Sequence, residues 1–407
     1  MIVYVNTISY RLSYIADFIG KEIGGDNFFK LTSDPVVYKN SSAPKINYSD
    51  VQIDPGEFWL LPHSLLSRQT IEKQEINCFE VNGYKAFFKT GGNFPFDIFA
   101  ASFYLLSRYE EYLPHKKDMY GRYAHENSLA FRENFLHLPL INIWINDFRN
   151  SLLAKFPGYS IPSHETKMPF LPTYDIDQAY SYKHKPFWKN VNGFARSLIK
   201  GDIDAVKERW NVLKGKEKDP FDTYQWMDEL NRKYKLNPFY FFIVADQPGE
   251  YDKNISPAKD EMKDLITHHH SQYHIGIHPS WQSGDDVSLI EKEKKTLQEI
   301  TGDKINRSRQ HYIRFTLPET FRCLINAGIK HEFSMGYGSI NGFRASLASE
   351  FYWFDLEKNE PTQLLLYPFC YMDANSFYEQ HYSPQQAYEE MMHYYKTVKS
   401  VNGTMMS

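Results

Sequence analysis

Phe170-Leu171-Pro172-Thr173-Tyr174-Asp175-Ile176-Asp177 is the stretch on which the reading of this chain turns. Aromatic and β-branched residues carry it to Asp175 as a strand, and two carboxylates stand at its end, two residues apart. Downstream, similar short apolar runs recur at Phe239–Val244, His274–His278, His311–Phe315, Lys330–Phe333 and Gln363–Tyr367. Helical periodicity falls between most of them, at Thr223–Tyr234, Pro257–His269, Ser288–Thr301 and Pro318–Ala327. Strands alternating with helices predict an α/β fold with a parallel sheet. Six or seven such units fit a closed or nearly closed (β/α) barrel, whose functional residues gather at the C-terminal strand ends.

Upstream of this stretch, Phe156-Pro157-Gly158-Tyr159-Ser160-Ile161-Pro162-Ser163-His164, with Pro169 and Pro172 beyond, is dense in residues that break regular structure. It reads as an extended linker. The predicted division is therefore a smaller mixed α/β N-terminal domain over 1–160 and a larger one over 166–407. The first part opens with a β-like run at Ile2–Tyr4, followed by a helical pattern at Leu12–Ile23. Asp97 suits a helix cap, and Ile98, Ala101, Leu105, Tyr109 and Tyr112 recur at helical spacing behind it. Leu140–Leu153 is a further amphipathic stretch, entered through Pro139. Arg108, Glu110 and Glu111 read as a solvated face or a domain contact, and no catalytic constellation stands out in this part.

The composition narrows the function classes. A formal net charge of −4 supplies no bulk attraction to nucleic acid or to an anionic membrane. No apolar run approaches the roughly 18–20 residues that span a bilayer, and the N-terminus lacks the basic and apolar regions of a signal peptide. A cytoplasmic location is the expectation. Cys78, Cys323 and Cys370 are odd in number and widely spaced, which suits small buried side chains better than a disulfide framework. Aromatic residues reach 16 %, enough to fill cores and still leave faces on which a sugar ring can stack.

Five constellations can carry chemistry. Asp175 and Asp177 share a strand face, and two carboxylates so close need a cation, a metal or a shared proton if both are buried; a turn with a capping Asp is the plainer reading. In His274-Ile275-Gly276-Ile277-His278-Pro279-Ser280-Trp281 the two histidines lie about 13 Å apart at ~3.3 Å per residue, so they cannot hold one ion together, and position favours His278. In Arg309-Gln310-His311-Tyr312-Ile313-Arg314 the alternation puts Arg309 and His311 on one face, where an Arg can hold a carboxylate; an exposed edge strand is the alternative. Ser334-Met335-Gly336-Tyr337-Gly338 and Gly342-Phe343-Arg344-Ala345 form a glycine-bearing region that can line a cleft or simply be a loop. Tyr367-Pro368-Phe369-Cys370-Tyr371-Met372-Asp373 ends in a carboxylate that can also be a helix cap.

Taken in order, these motifs resemble the NodB-homology polysaccharide deacetylases, the fourth carbohydrate esterase family, and within it a two-domain branch common in Bacteroidetes. Phe96–Tyr112 looks like that branch's characteristic N-terminal helix, and Asp222-Thr223-Tyr224, Gly276–Ser280, Ser308–His311 and Gly342–Ala345 look like its second domain. The resemblance implies a (β/α) barrel of about seven strands holding one divalent metal, usually zinc. It implies removal of an N- or O-acetyl group from a glycan or glycan precursor. By the same resemblance Asp175 is the general base, Asp177 and His278 are metal ligands, and Arg309 or Arg314 tethers the base. Where the family has a second metal histidine this chain has Gln282, which makes His311 the substitute ligand. Where the family ends on an acid histidine this chain offers Asp373. Trp281, Tyr337 and Arg344 are the candidates for contact with substrate. The competing reading is a non-catalytic glycan-binding or scaffold protein built on the same barrel with a degenerate metal site.

Overall fold

The computed structural model describes residues 1–162, 168–246 and 249–407; residues 163–167 of the expected linker lie outside them. The chain forms two compact units. One comprises Met1–Pro169, Thr316–Arg322 and Glu332–Ser407, and the other Phe170–Phe315 with Cys323–His331.

In the first unit, β1 (Ile2–Val5) sits inside a four-stranded parallel sheet of order β2-β1-β3-β4, with β2 at Lys30–Thr32, β3 at Lys45–Tyr48 and β4 at Phe58–Leu60. Helix α1 (Tyr10–Gly24) starts where the Ser9 side chain accepts from the Leu12 N–H, and buries Leu12, Ile15, Ile19 and Ile23 along one stripe. Helix α2 (Ile98–Leu106) is buried at every position, as a helix that is apolar all round must be. Its cap is Asp97, whose carboxylate takes the Ala100 N–H and the Tyr48 hydroxyl. Helix α3 (Leu140–Lys155) packs Trp144, Ile145, Phe148 and Leu152 inward. The same unit holds an antiparallel pair, Phe351–Asp355 with Glu360–Pro368.

The helix expected to run to Tyr112 ends at Leu106. Arg108 turns into the left-handed region at φ 54°, and Tyr109–Tyr112 continue as a 3₁₀ turn. This turn sets Arg108 and Glu111 into a buried ion cluster rather than on a solvated face. Glu111 Oε1 accepts from Arg108 Nε at 2.8 Å and from Arg344 Nε at 2.9 Å, and Oε2 from Arg344 Nη2 at 2.6 Å. Tyr337 lies beneath the Arg344 guanidinium, 5.1 Å from it to the ring centre. Burial alone would raise the Glu111 pKa, but Arg344 and then Arg108 hold it at about 2.

The second unit is built on four parallel strands in the order β5 (Thr173–Ile176), β6 (Phe239–Phe242), β7 (His274–Ile277) and β8 (Arg307–Ser308). The register pairs Thr173 with Phe239 and Phe239 with His274, so these three strands end level. The helices of this unit are α4 (Phe187–Ile199), α5 (Ile203–Leu213), α6 (Tyr224–Tyr234), α7 (Asp260–Gln272) and α8 (Ser288–Thr301). Gly276 is required by close packing: a Cβ there would come within 2.8 Å of the Arg307 carbonyl oxygen and 2.7 Å of the Phe241 ring. The strand expected at His311–Phe315 is instead a 3₁₀ turn, because Tyr312 and Ile313 both take positive φ, 58° and 55°. The architecture is thus mixed α/β, and no pairing among the described residues closes this run of strands into a barrel.

Glu111→Ala leaves two guanidiniums buried without their shared carboxylate. We expect a loss of ~3–5 kcal/mol in urea unfolding at neutral pH, the usual cost of breaking a buried ion pair from one side. Because the Glu111 pKa is depressed, the contribution is present above about pH 4.5 and fades as the pH falls towards 2. The variant and the parent should therefore converge in acid.

Candidate metal centre

The level ends of β5 and β7 bring three side chains together. Asp177 follows β5 directly. Its Oδ1 lies 3.2 Å from His278 Nε2, and its Oδ2 lies 3.7 Å from His311 Nε2. The donor atoms of Asp177, His278 and His311 all fall within 4.8 Å of one another. Both histidines are buried, while half of the Asp177 side chain is open to solvent.

Each imidazole is held from behind. His278 Nδ1 donates to the Arg309 carbonyl at 2.5 Å, and the His278 N–H is fixed to the Phe242 carbonyl at 3.0 Å. His311 Nδ1 donates to Asp252 Oδ1 at 2.9 Å. A carbonyl and a carboxylate can only accept, so both Nδ1 atoms carry the hydrogen, and the neutral form of each ring presents a bare Nε2 to Asp177. Asp177 Oδ1 is itself buried and without a hydrogen-bond partner. Three donor atoms within 4.8 Å of one another, with two Nδ1–H groups anchored behind, form a group that could hold a metal ion.

Asp175 stands beside this cluster. Its Oδ2 is 3.9 Å from His278 Nε2, and its Oδ1 is 3.4 Å from Arg309 Nη1. The same Arg309 nitrogen donates to Thr173 Oγ1 at 2.6 Å, so Thr173 and Asp175 share a face of β5, as alternation requires. Arg309, not Arg314, is the tether. Arg314 pairs with Asp285 at 2.5 Å and covers the Trp281 ring at 4.4 Å.

Trp281 is half-buried next to the metal cluster. Its backbone N–H donates to Asp252 Oδ1, its ring stacks on Tyr251 at 4.2 Å, and Tyr312 meets it edge-on. Gln282 is exposed and takes no part in the cluster. Arg344 and Tyr337 belong to the other unit, where both are sealed in the ion cluster around Glu111. Both side chains are almost fully buried there, whereas the expectation had them in contact with substrate. Asp373 is in that unit too; it is exposed, and its carboxylate accepts from the Ala374 N–H, the local capping contact.

Two residues of the site escaped sequence reasoning. Asp252 orients His311 and receives the Trp281 N–H. Asn254 pins the turn after β5, accepting from the Ala179 N–H at 2.9 Å and donating to the Ile176 and Ile243 carbonyls. The only signal for either was a pair of short polar residues in the long connection that follows β6, which ends at Phe242.

A model of a family of unknown function, DUF7033, matches residues 1–157. No curated protein matches the chain. Among solved structures, the chain is similar to a protein of Mycobacterium smegmatis described as a candidate polysaccharide deacetylase. Identity is 11 %, with 62 % of this chain and 79 % of that one covered and a TM-score of 0.37. It is also similar to IcaB from Ammonifex degensii, at 14 % identity over 42 % of this chain and 87 % of that one, with a TM-score of 0.23. At scores this low, the site has to be read from its own residues.

In the metal-free protein a proton takes the place of the cation. Burial lowers the His311 pKa, but Asp177 and Asp252 outweigh it and lift it to about 9. Its stabilising contribution is complete below about pH 6.5 and is lost as the pH rises through about 9. A metal must displace that proton. Calorimetric titration of the apo protein with Zn²⁺ at pH 7.5, in buffers of different ionisation enthalpy, should therefore show release of about one proton. His311→Gln should remove the release and weaken binding. A binding enthalpy that does not depend on the buffer would contradict this account of the cluster.

Proposed function

We propose that the chain is a metal-dependent hydrolase that removes an acetyl group, N- or O-linked, from a glycan or glycan precursor. The observation that carries the reading is the Asp177–His278–His311 cluster with Asp175 tethered next to it by Arg309. On this reading residues 166–407 carry a catalytic fold of the NodB type, a (β/α) barrel, and residues 1–160 an accessory domain.

Asp177, His278 and His311 would hold a zinc ion, which when bound supplies a Lewis acid and lowers the pKa of a water molecule. The residues around it have separable tasks. Asp175 accepts a proton from the attacking water, and Arg309 keeps that carboxylate turned towards the cluster. Asp252 holds His311 in the tautomer that leaves its Nε2 free to ligate. The Trp281–Tyr251–Tyr312 group offers an aromatic face on which a sugar ring can rest while its acetyl group reaches the cluster. Among the described residues of the second unit, no histidine beyond the two ligands joins the cluster to serve as an acid to the leaving group. Turnover should be slow by the ~10²–10⁴-fold that such an acid typically contributes.

The test is acetate release from a panel of N-acetylated and O-acetylated glycans, read together with metal content. Asp175→Asn should abolish release by ~10²-fold or more while the protein keeps its zinc. Asp177→Ala should lose both. Robust activity in Asp175→Asn would sink the base assignment. Absence of metal at a stoichiometric level, together with no acetate release on any substrate, would favour the glycan-binding reading.

A further inference from the structure

Helices α4 and α5 form a hairpin that joins β5 to the rest of the second unit, and they bury almost nothing. Asn190 is the one buried residue of α4 and Val212 the one buried residue of α5. Phe187, Val191, Phe194 and Leu198 recur at helical spacing along α4, with Trp188 and Ile199 widening the stripe. An amphipathic helix of a globular protein ordinarily turns such a stripe to the core. Here Phe187 and Trp188 are each 72 % exposed and Ile199 is 86 % exposed. Ile203, Trp210 and Leu213 of α5 continue the apolar surface.

The hairpin is nevertheless firmly based. Asp219 accepts from the backbone N–H groups of Ser181, Tyr182 and Lys183 at 2.7 to 2.9 Å, which fixes the approach to α4. Glu208 takes the Tyr182 hydroxyl, and Arg209 donates to Asn190 Oδ1. Gly193 leaves room for the Arg209 guanidinium, which a Cβ would meet at 2.2 Å. So α4 rests on its small polar side, Asn190 and Gly193, and its apolar side faces outward by construction.

Charge decides what covers that side. Between Asp177 and Asp202 there is no carboxylate, while Lys183, Lys185, Lys189, Arg196 and Lys200 all fall in the interval. Over residues 178–218, ten Lys and Arg stand against four Asp and Glu, in a chain whose net charge is −4. Exposed Trp and Phe on one side of α4 with Lys189, Arg196 and Lys200 on the other is the pattern of a helix that lies in a membrane interface rather than across it. No helix among the described residues is long and apolar enough to span a bilayer, which leaves surface docking as the fitting mode.

We propose that the α4–α5 hairpin docks the protein on an anionic lipid surface. The hairpin springs from the strand that carries Asp175, so docking would hold the metal cluster's unit at the membrane. The inference does not rest on the deacetylase reading, since it uses none of the cluster's residues.

The experiment is flotation of the full chain with vesicles of phosphatidylglycerol and phosphatidylcholine, compared with phosphatidylcholine alone. We expect the bound fraction to rise severalfold with the anionic lipid and to fall as salt is added. The double variant Phe187→Ser/Trp188→Ser and the double variant Lys189→Glu/Arg196→Glu should each weaken binding about tenfold. All four positions are exposed, so circular dichroism should be unchanged and acetate release in solution unaltered. Equal flotation on both vesicle types, or binding that survives the charge reversal, overturns the proposal. So does self-association in light scattering that Phe187→Ser/Trp188→Ser disperses, because the face would then belong to a second copy of the chain.

Discussion

Two imidazoles commit their Nδ1–H groups to fixed acceptors, and the site follows from that commitment. His278 gives its proton to the Arg309 carbonyl and His311 gives its own to Asp252. Rotation of either ring would break a buried hydrogen bond, and a buried polar group left unpaired costs about 1–3 kcal/mol. The rings are therefore preset with Nε2 towards Asp177. Arg309 serves twice, since its carbonyl holds His278 and its guanidinium holds Asp175. Ligand orientation and base orientation are thereby tied to one residue at the end of β8. Asp252 likewise serves twice, fixing His311 and the backbone of Trp281. The candidate ligand cluster and the aromatic face beside it are thereby joined through one carboxylate.

The two units use buried charge in opposite ways. Around Glu111, two guanidiniums and one carboxylate satisfy each other with five-donor forks and short bonds, and the charge is spent on packing. Around Asp177 the charges are left incomplete. One buried carboxylate oxygen has His278 Nε2 at 3.2 Å as its near neighbour and no hydrogen bond, and two imidazole lone pairs converge on the same region. Evolution of stability alone gives no reason to bury such a group unsatisfied, whereas a cation in that position resolves all three. The strained backbone at Tyr312 and Ile313 belongs to the same picture, because it is the turn that delivers His311.

Net charge is a poor guide to where a protein meets its surroundings. The chain is mildly acidic as a whole, which argues against an anionic partner when only the total is considered. The total conceals a basic hairpin with an apolar face, because its excess of cations is cancelled by carboxylates elsewhere in the sequence. Fields of exposed charges reach only about a Debye length, ~8–10 Å, so the local balance governs contact.

The sequence by itself determined the periodic elements and the residue types at their ends. Ser288–Thr301 is the helix its pattern describes, and Asp175, Asp177 and His278 stand at or just past strand ends because Thr, Tyr and Ile mark the strands that lead to them. Local chemistry is sufficient for such features. Elements shaped by distant partners were not legible. The helix from Ile98 stops before Arg108 because Glu111 and Arg344, 233 residues apart in the chain, need that guanidinium. His311 lies on a turn rather than a strand, because the chain there takes positive φ at two residues whose propensities favour β structure. Arg344 and Tyr337 have the composition of a cleft and the burial of a core, and no one-dimensional pattern separates the two. Asp252 entered the site only when parallel pairing of β6 with β5 and β7 carried its loop to His311. Convergence of side chains from four strand ends is a property of strand order and register, which long-range hydrogen bonding decides after the local pattern has been set.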